Sequence, residues 1–195
     1  MRVLGILGSP RRGGNSEILL DKALEGAGGL DTEKIVLNEL KFSPCQECGG
    51  CAKSGNCIID DEMQLVYKKI DEADIVILAS PVFFGSLPAQ VKAMVDRYQC
   101  RWVSRYVLKR ERYIKGKKKG LLILVSASER DKFFKNAESI VKNFFAVAGI
   151  EFKGNLYCPN IDDKGKILGE PDYLRRALEL LPKSGIIQGT KKAGR

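Results

Sequence analysis

Asp74-Ile75-Val76-Ile77-Leu78-Ala79-Ser80 puts five apolar side chains in a row and stops at Pro81. An apolar run with no polar alternation must be covered on both faces, as in a parallel sheet wrapped by helices. Four other segments read as strands: Val3 to Leu7, Lys34 to Leu37, Gly120 to Ser126 and Phe152 to Tyr157. Helical patterns separate them. The first starts with Asn15 or Ser16 as N-cap, spaces Ile18, Leu19, Ala23 and Leu24 on one side, and is stopped by Gly26, Gly28 and Gly29. The second follows Asp60-Asp61-Glu62 with Leu65, Val66 and Ile70 inward. The others run from about Pro88 to Gln99, from Lys135 to Ala148 and from Tyr173 to Leu181. The order βαβαβαβαβα with right-handed crossovers implies a doubly wound α/β fold, a five-stranded parallel sheet in the order 2-1-3-4-5.

The chain of 195 residues is long enough for one domain with a full core, expected over residues 1–182, with a basic C-terminal tail over 183–195. No apolar run is long enough to span a bilayer. The start, Met1-Arg2-Val3-Leu4-Gly5-Ile6-Leu7-Gly8, lacks the features of a signal peptide, so the expected location is the cytoplasm. There is no histidine, which excludes histidine bases, Cys-His or Ser-His nucleophiles and histidine-ligated metals. Net charge is +9, and residues 97–119 alone, with ten Lys or Arg against Glu111, carry that excess. Residues 100–119 therefore read as a basic insertion with a local positive surface.

Ligands of open α/β sheets bind outside the carboxyl ends of the strands where the winding reverses. The loop Gly8-Ser9-Pro10-Arg11-Arg12-Gly13-Gly14-Asn15-Ser16 suits a phosphate there: its glycines allow close approach and a helix N-terminus adds free N–H groups. It fits neither the G-x-x-x-x-G-K-[ST] nor the G-x-G-x-x-G pattern, and an ordinary tight turn is the plain alternative. Ser80-Pro81-Val82-Phe83-Phe84-Gly85-Ser86-Leu87-Pro88 offers two aromatics for a planar ligand, or for packing a helix onto the sheet.

Cys45, Cys48, Cys51 and Cys57 are spaced C-x2-C-x2-C-x5-C, between residues 44 and 57. The C-x2-C-x2-C core is that of ferredoxin-type runs, which wrap a [4Fe–4S] cubane. Structural zinc sites more often separate two C-x2-C pairs by a longer spacer, so zinc and unmetallated thiols remain as alternatives. Cys100 and Cys158 lie far off and are expected to be buried, inert thiols. In the order 2-1-3-4-5 the cysteine loop leaves strand 2 on the rim that carries the phosphate loop, an arrangement suited to electron transfer.

Gly8-Ser9-Pro10-Arg11, Gly14-Asn15-Ser16 and Ser80 to Ser86 running into Lys92, Asp96 and Arg97 resemble the flavodoxin-like NADPH-dependent FMN reductases. With the cysteine motif ahead of Asp60-Asp61-Glu62-Met63, the chain resembles the iron–sulfur flavoproteins among them. That resemblance implies a flavodoxin-like fold with one FMN and one [4Fe–4S] cluster per protomer. It implies that Ser9, Arg11, Gly14, Asn15 and Ser16 hold the FMN phosphate, and that Pro81, Val82, Phe83, Phe84, Gly85, Ser126 and Ala127 line the ribityl chain and ring. It further implies a homodimer or homotetramer in which a cluster faces a neighbour's flavin, with electrons drawn from ferredoxin and passed to oxygen, peroxide or a quinone. The chemistry then belongs to the cofactors, with no catalytic side chain.

Two rivals stand beside this reading. One keeps FMN and drops the cluster, giving an NAD(P)H-dependent FMN or quinone reductase. The other is a nucleic-acid binding module that interleaves Arg101, Trp102, Arg105, Tyr106, Lys109, Arg110, Arg112, Tyr113 and Lys115. The same stretch also reads as a solvated helix, as an oligomer contact, or as a surface that steers an acidic carrier such as ferredoxin.

Overall fold

A computed structural model describes residues 1–110 and 118–181. Strands β1 (Arg2–Leu7), β2 (Asp31–Val36), β3 (Ile75–Pro81), β4 (Lys118–Val125) and β5 (Ile150–Cys158) form one parallel sheet in the order β2-β1-β3-β4-β5. Helices α1 (Asn15–Glu25), α2 (Met63–Glu72), α3 (Ala89–Arg97), α4 (Gln99–Trp102), α5 (Asp131–Val147) and α6 (Pro171–Leu178) surround it. The doubly wound architecture and the strand order expected from the sequence are both present.

Successive strand residues point to opposite faces, and each face carries its own core. Leu4, Ile6, Val76, Leu78, Leu122 and Leu124 pack under α2, α3 and α5. Val3, Leu7, Ile75, Ile77, Ala79, Leu121, Ile123 and Val125 pack under α1 and α6. Each such side chain taken fully out of water contributes about 1.5–3 kcal/mol. Continuous apolar strands are what two covered faces require.

Local readings differ from the structure where tertiary contacts decide. Leu65 is exposed, while Met63, Val66, Tyr67 and Ile70 form the buried stripe of α2. Helix α1 is capped by Gly14 with no side-chain bond; Asn15 and Ser16 are its first two residues and are buried. Strand β2 starts three residues earlier than the apolar pattern marks, because Asp31 to Lys34 lie on the sheet edge, where polar side chains are tolerated. Helix α5 likewise starts at Asp131, and α6 spans Pro171–Leu178.

The basic insertion also changes character. Its start is helical, as α4 and then one π-helical turn over Val103–Val107, and Lys118 and Lys119 already belong to β4. Arg101 is buried against Asp71 at 2.6 Å and lies over the Tyr67 ring, so it is unavailable to a nucleic acid. Lys118 turns inward too, donating to the carbonyls of Ile70 and Ala73 at the end of α2. Trp102, Tyr106 and Val107 are exposed. Arg112, Tyr113, Lys115 and the tail 183–195 lie outside the described residues.

Candidate functional site

The first site is the cleft at the carboxyl ends of β1, β3 and β4. Ser9, Arg11, Gly14, Asn15, Ser16, Pro81, Val82, Phe83, Ser126 and Ala127 line it together. Ile161, Asp162 and Lys164, from the loop after β5, close its far side; the sequence reading missed them because nothing local marks that loop. The first amides of α1 have no acceptor within the helix, and with Arg11 and Lys164 they make the cleft a seat for an anion. Its volume is about 140 Å³, below the roughly 300–1,000 Å³ of a complete small-molecule pocket. The loops thus form the floor and one end of a site that stays open above.

Two side chains shape the phosphate loop from beneath. Asn15 donates from Nδ2 to the Asp163 carbonyl at 2.8 Å and accepts the Ile167 N–H on Oδ1 at 3.2 Å. Its amide thereby joins the phosphate loop to the loop after β5. Glu17 accepts the Gly13 N–H at 2.7 Å and pairs with Arg12 at 2.7 Å and Lys34 at 3.0 Å. Burial alone would raise its pKa; the Gly13 N–H and the two cations outweigh burial and hold the carboxyl below its ordinary range.

The second loop is a two-residue turn. Phe83 and Ser86 exchange both backbone hydrogen bonds at 2.9 Å, and Phe84 and Gly85 at the centre have φ of 51° and 73°. Positive φ at both central positions is the geometry of a primed hairpin turn. A bulky residue there is strained, and Phe84 projects its ring fully into solvent, off the cleft wall. Gly85 also lies off the wall. Its carbonyl accepts Nδ2 of Asn136 at 2.8 Å, and a Cβ there would stand 2.8 Å from the Phe133 ring.

The cysteine loop leaves β2 through a short 3₁₀ turn, Leu37–Glu39, and returns at α2. Cys45, Cys48, Cys51 and Cys57 all line one cavity of about 650 Å³, and none is in a disulfide. That is room for a prosthetic group rather than for one ion. Among the described residues, no three acidic or thiol groups converge on a single-ion site. Burial pushes the Cys51 thiol up, and the nearby Cys57, Cys45 and Cys48 push it the same way. Four loop cysteines round one space are a donor set that fits an iron–sulfur cluster, with Glu47 and Asp96 also on the wall.

Arg97, the last residue of α3, fixes both ends of that loop. Its Nη1 donates to the Ser43 carbonyl at 2.9 Å and to Asp61 at 2.6 Å; Nη2 donates to Asp61 at 3.0 Å and to the Ile59 carbonyl at 3.4 Å. Asp61 also accepts the N–H groups of Ser43 and Met63. Burial would raise the Asp61 pKa, yet Arg97 and these two amides hold it below the ordinary carboxylate value. Arg110 adds a brace from outside, donating to the carbonyls of Ser54 and Lys53. Cys100 is buried at the cavity wall, and Cys158 is buried elsewhere with its thiol pushed up to about 12 by burial. The cleft at the strand ends and the cysteine cavity share no lining residue.

Residues 1–150 match the family described as NADPH-dependent FMN reductase. The chain is 36% identical over 142 residues to an iron–sulfur flavoprotein of Methanosarcina thermophila, covering 72% of this chain and 71% of that one. It is 43% identical over 99 residues to the iron–sulfur flavoprotein MJ1083 of Methanocaldococcus jannaschii, covering 50% of this chain and 51% of the relative. That second match thus spans about half of the relative's length. Among solved structures, the Trp repressor binding protein of Bacillus subtilis superposes with a TM-score of 0.66 at 22% identity, covering 93% of this chain and 99% of the other. At that identity the likeness concerns the fold.

Proposed function

The chain belongs to the iron–sulfur flavoproteins of the NADPH-dependent FMN reductase family and is an FMN-dependent oxidoreductase; from that premise we propose that it passes electrons between a [4Fe–4S] cluster and FMN. The observation that carries the reading is that Cys45, Cys48, Cys51 and Cys57 line one cavity, distinct from the cleft at the strand ends. Cys45, Cys48, Cys51 and Cys57 hold the cluster. Ser9, Arg11, Ser16 and the first amides of α1 take the FMN phosphate, and Pro81, Val82, Phe83, Ser126 and Ala127 line the ribityl chain. Asn15 supports the phosphate site through the Asp163 and Ile167 backbone, and Phe84 stands at the rim.

When bound, the cluster supplies single electrons and FMN combines them in pairs, so one-electron supply meets two-electron demand. The protein's part is to bind, orient and shield. Backbone N–H groups and Arg11 neutralise the phosphate, and the sheet fixes the floor beneath the flavin. An acidic one-electron carrier such as ferredoxin is the proposed donor and a small acceptor such as oxygen, peroxide or a quinone the proposed recipient. The open upper side of the cleft and the separation of the two cavities favour a homodimer or homotetramer, in which a second protomer completes the flavin site. Among the described residues no helix is long and apolar enough to cross a membrane; the proposed location is the cytoplasm.

The deciding experiment is the absorption spectrum of protein purified without air, with iron, sulfide and zinc analysis. Flavin bands over a broad brown absorbance, with four irons and four sulfides per chain, are the expected result. Flavin without iron after reconstitution would leave an NAD(P)H-dependent FMN or quinone reductase.

A further inference from the structure

Asp163-Lys164-Gly165-Lys166, in the loop after β5, is a tight turn closed by the Lys166 N–H on the Asp163 carbonyl at 3.1 Å. Gly165 has φ 83° and ψ −4°, the left-handed geometry that a type II turn requires at its third residue. The same Asp163 carbonyl accepts Nδ2 of Asn15 at 2.8 Å, so the turn is fastened to the start of α1 and Lys164 follows the fastening directly. Its side chain lies across the phosphate loop: a Cβ added to Gly13 would sit 3.5 Å from Cε and 3.7 Å from Nζ of Lys164. Other cations near that loop are already engaged. Arg12 pairs with Glu17 and Glu39, Lys34 pairs with Glu17 and Asp21, and Lys166 donates to the Asn160 carbonyl. Arg11 and Lys164 both line the cleft, and neither has a carboxylate partner among the described residues. Asp162 is the one carboxylate among the described residues of that wall, and it offsets one of the two positive charges. Lys164 therefore decides whether the side chains of the cleft are cationic or neutral in sum.

We infer that Lys164 is a specificity-determining residue: its ammonium pairs with the terminal phosphate of the flavin and makes the cleft select FMN over riboflavin. The inference deepens the reading of this cleft as the FMN site and rests on it. A phosphate monoester carries about −1.5 to −2 charges near neutral pH. One guanidinium cannot offset that when Asp162 stands on the same wall, and the first amides of α1 add only partial charge. An ammonium on a flexible four-carbon stem is a compact point charge with three donors, able to reach a phosphate from across the cleft without a fixed fork geometry. Riboflavin ends in a hydroxyl at that position and gives the ammonium no charge to meet. The ring and ribityl contacts are common to both flavins, so what Lys164 contributes belongs to the phosphate.

The test titrates flavin-free protein with FMN and with riboflavin, following the quenching of flavin fluorescence. Lys164→Gln keeps most of the side chain and removes its charge. The variant is expected to bind FMN about tenfold more weakly, about 1.4 kcal/mol, with riboflavin affinity unchanged. Lys164→Arg keeps the charge and should retain most of the preference for FMN. Added salt should weaken FMN binding more steeply in the parent than in Lys164→Gln. Lys164 is exposed, so flavin-free Lys164→Gln should keep the thermal midpoint of the parent. Equal losses for FMN and riboflavin would make Lys164 a structural part of its loop and overturn the inference, as would unchanged FMN affinity. Parent protein that binds riboflavin as tightly as FMN overturns the phosphate-site reading, and the inference with it.

Discussion

Replacing Asn15 with alanine separates two roles that the sequence leaves merged, phosphate ligand and scaffold. In the structure its amide is committed to the Asp163 carbonyl and the Ile167 N–H, both 148 residues or more along the chain. Asn15→Ala removes two hydrogen bonds and leaves the buried Ile167 N–H without an acceptor. At about 0.5–1.5 kcal/mol for the bond to Asp163 and about 1–3 kcal/mol for the orphaned Ile167 N–H, the expected loss is about 1.5–4.5 kcal/mol. For a chain of this size that lowers Tm by roughly 3–18 °C. Unfolding of the flavin-free protein is the right assay, since a scaffold residue acts before any ligand arrives. The loss should appear in full there, and FMN affinity should fall because Lys164 rides on the released loop. Asn15→Asp, which keeps the acceptor and loses the donor, should fall between. If flavin-free Asn15→Ala unfolds within about 0.5 kcal/mol of the parent while FMN binding collapses, the amide bonds the phosphate and the scaffold argument fails.

Other perturbations address the remaining parts. The folded pKa of Glu17 is lowered from 4.5, so its stabilisation is present above that value and is lost as pH falls through the lowered one. Glu17→Gln should cost about 1–3 kcal/mol at pH 7 and flatten the acid limb below about pH 4.5, as followed by circular dichroism; an unchanged acid limb would remove Glu17 from the account. Gly85→Ala combines a φ of 73° with the Phe133 ring at 2.8 Å, so a loss of about 1–3 kcal/mol is expected in chemical denaturation. Cys48→Ala should abolish bound iron and sulfide while FMN stays bound. An intact cluster in that variant, read from its absorption and metal content, would refute the ligand assignment.

The parts legible in the sequence are those decided by neighbours along the chain. Continuous runs such as Ile75 to Ala79 report burial on both faces, and the C-x2-C-x2-C-x5-C spacing reports a shared cavity, because both signals are local. What escaped notice depends on residues remote in sequence. Asp61 looks like a helix-start acid, yet its partner is Arg97, 36 residues on. Arg101 looks like one more base in a solvated stripe until Asp71 draws it inside. Leu65 is apolar and helical, but the stripe of α2 is set by Met63 and its successors. The cleft wall from Ile161 to Lys164 carries no motif, being brought to the site only by the loop that follows β5.

The two cavities have no wall in common, and this bears on how the protein is assembled in the cell. One is held by the Arg97–Asp61 clamp at the ends of α3 and α2, the other by Asn15 and Glu17 under α1. Neither set of contacts runs through the other. If the cysteines hold the proposed cluster, loading one cavity is expected not to depend on loading the other, so flavin-free protein should take up iron and sulfide to the same extent as flavin-loaded protein.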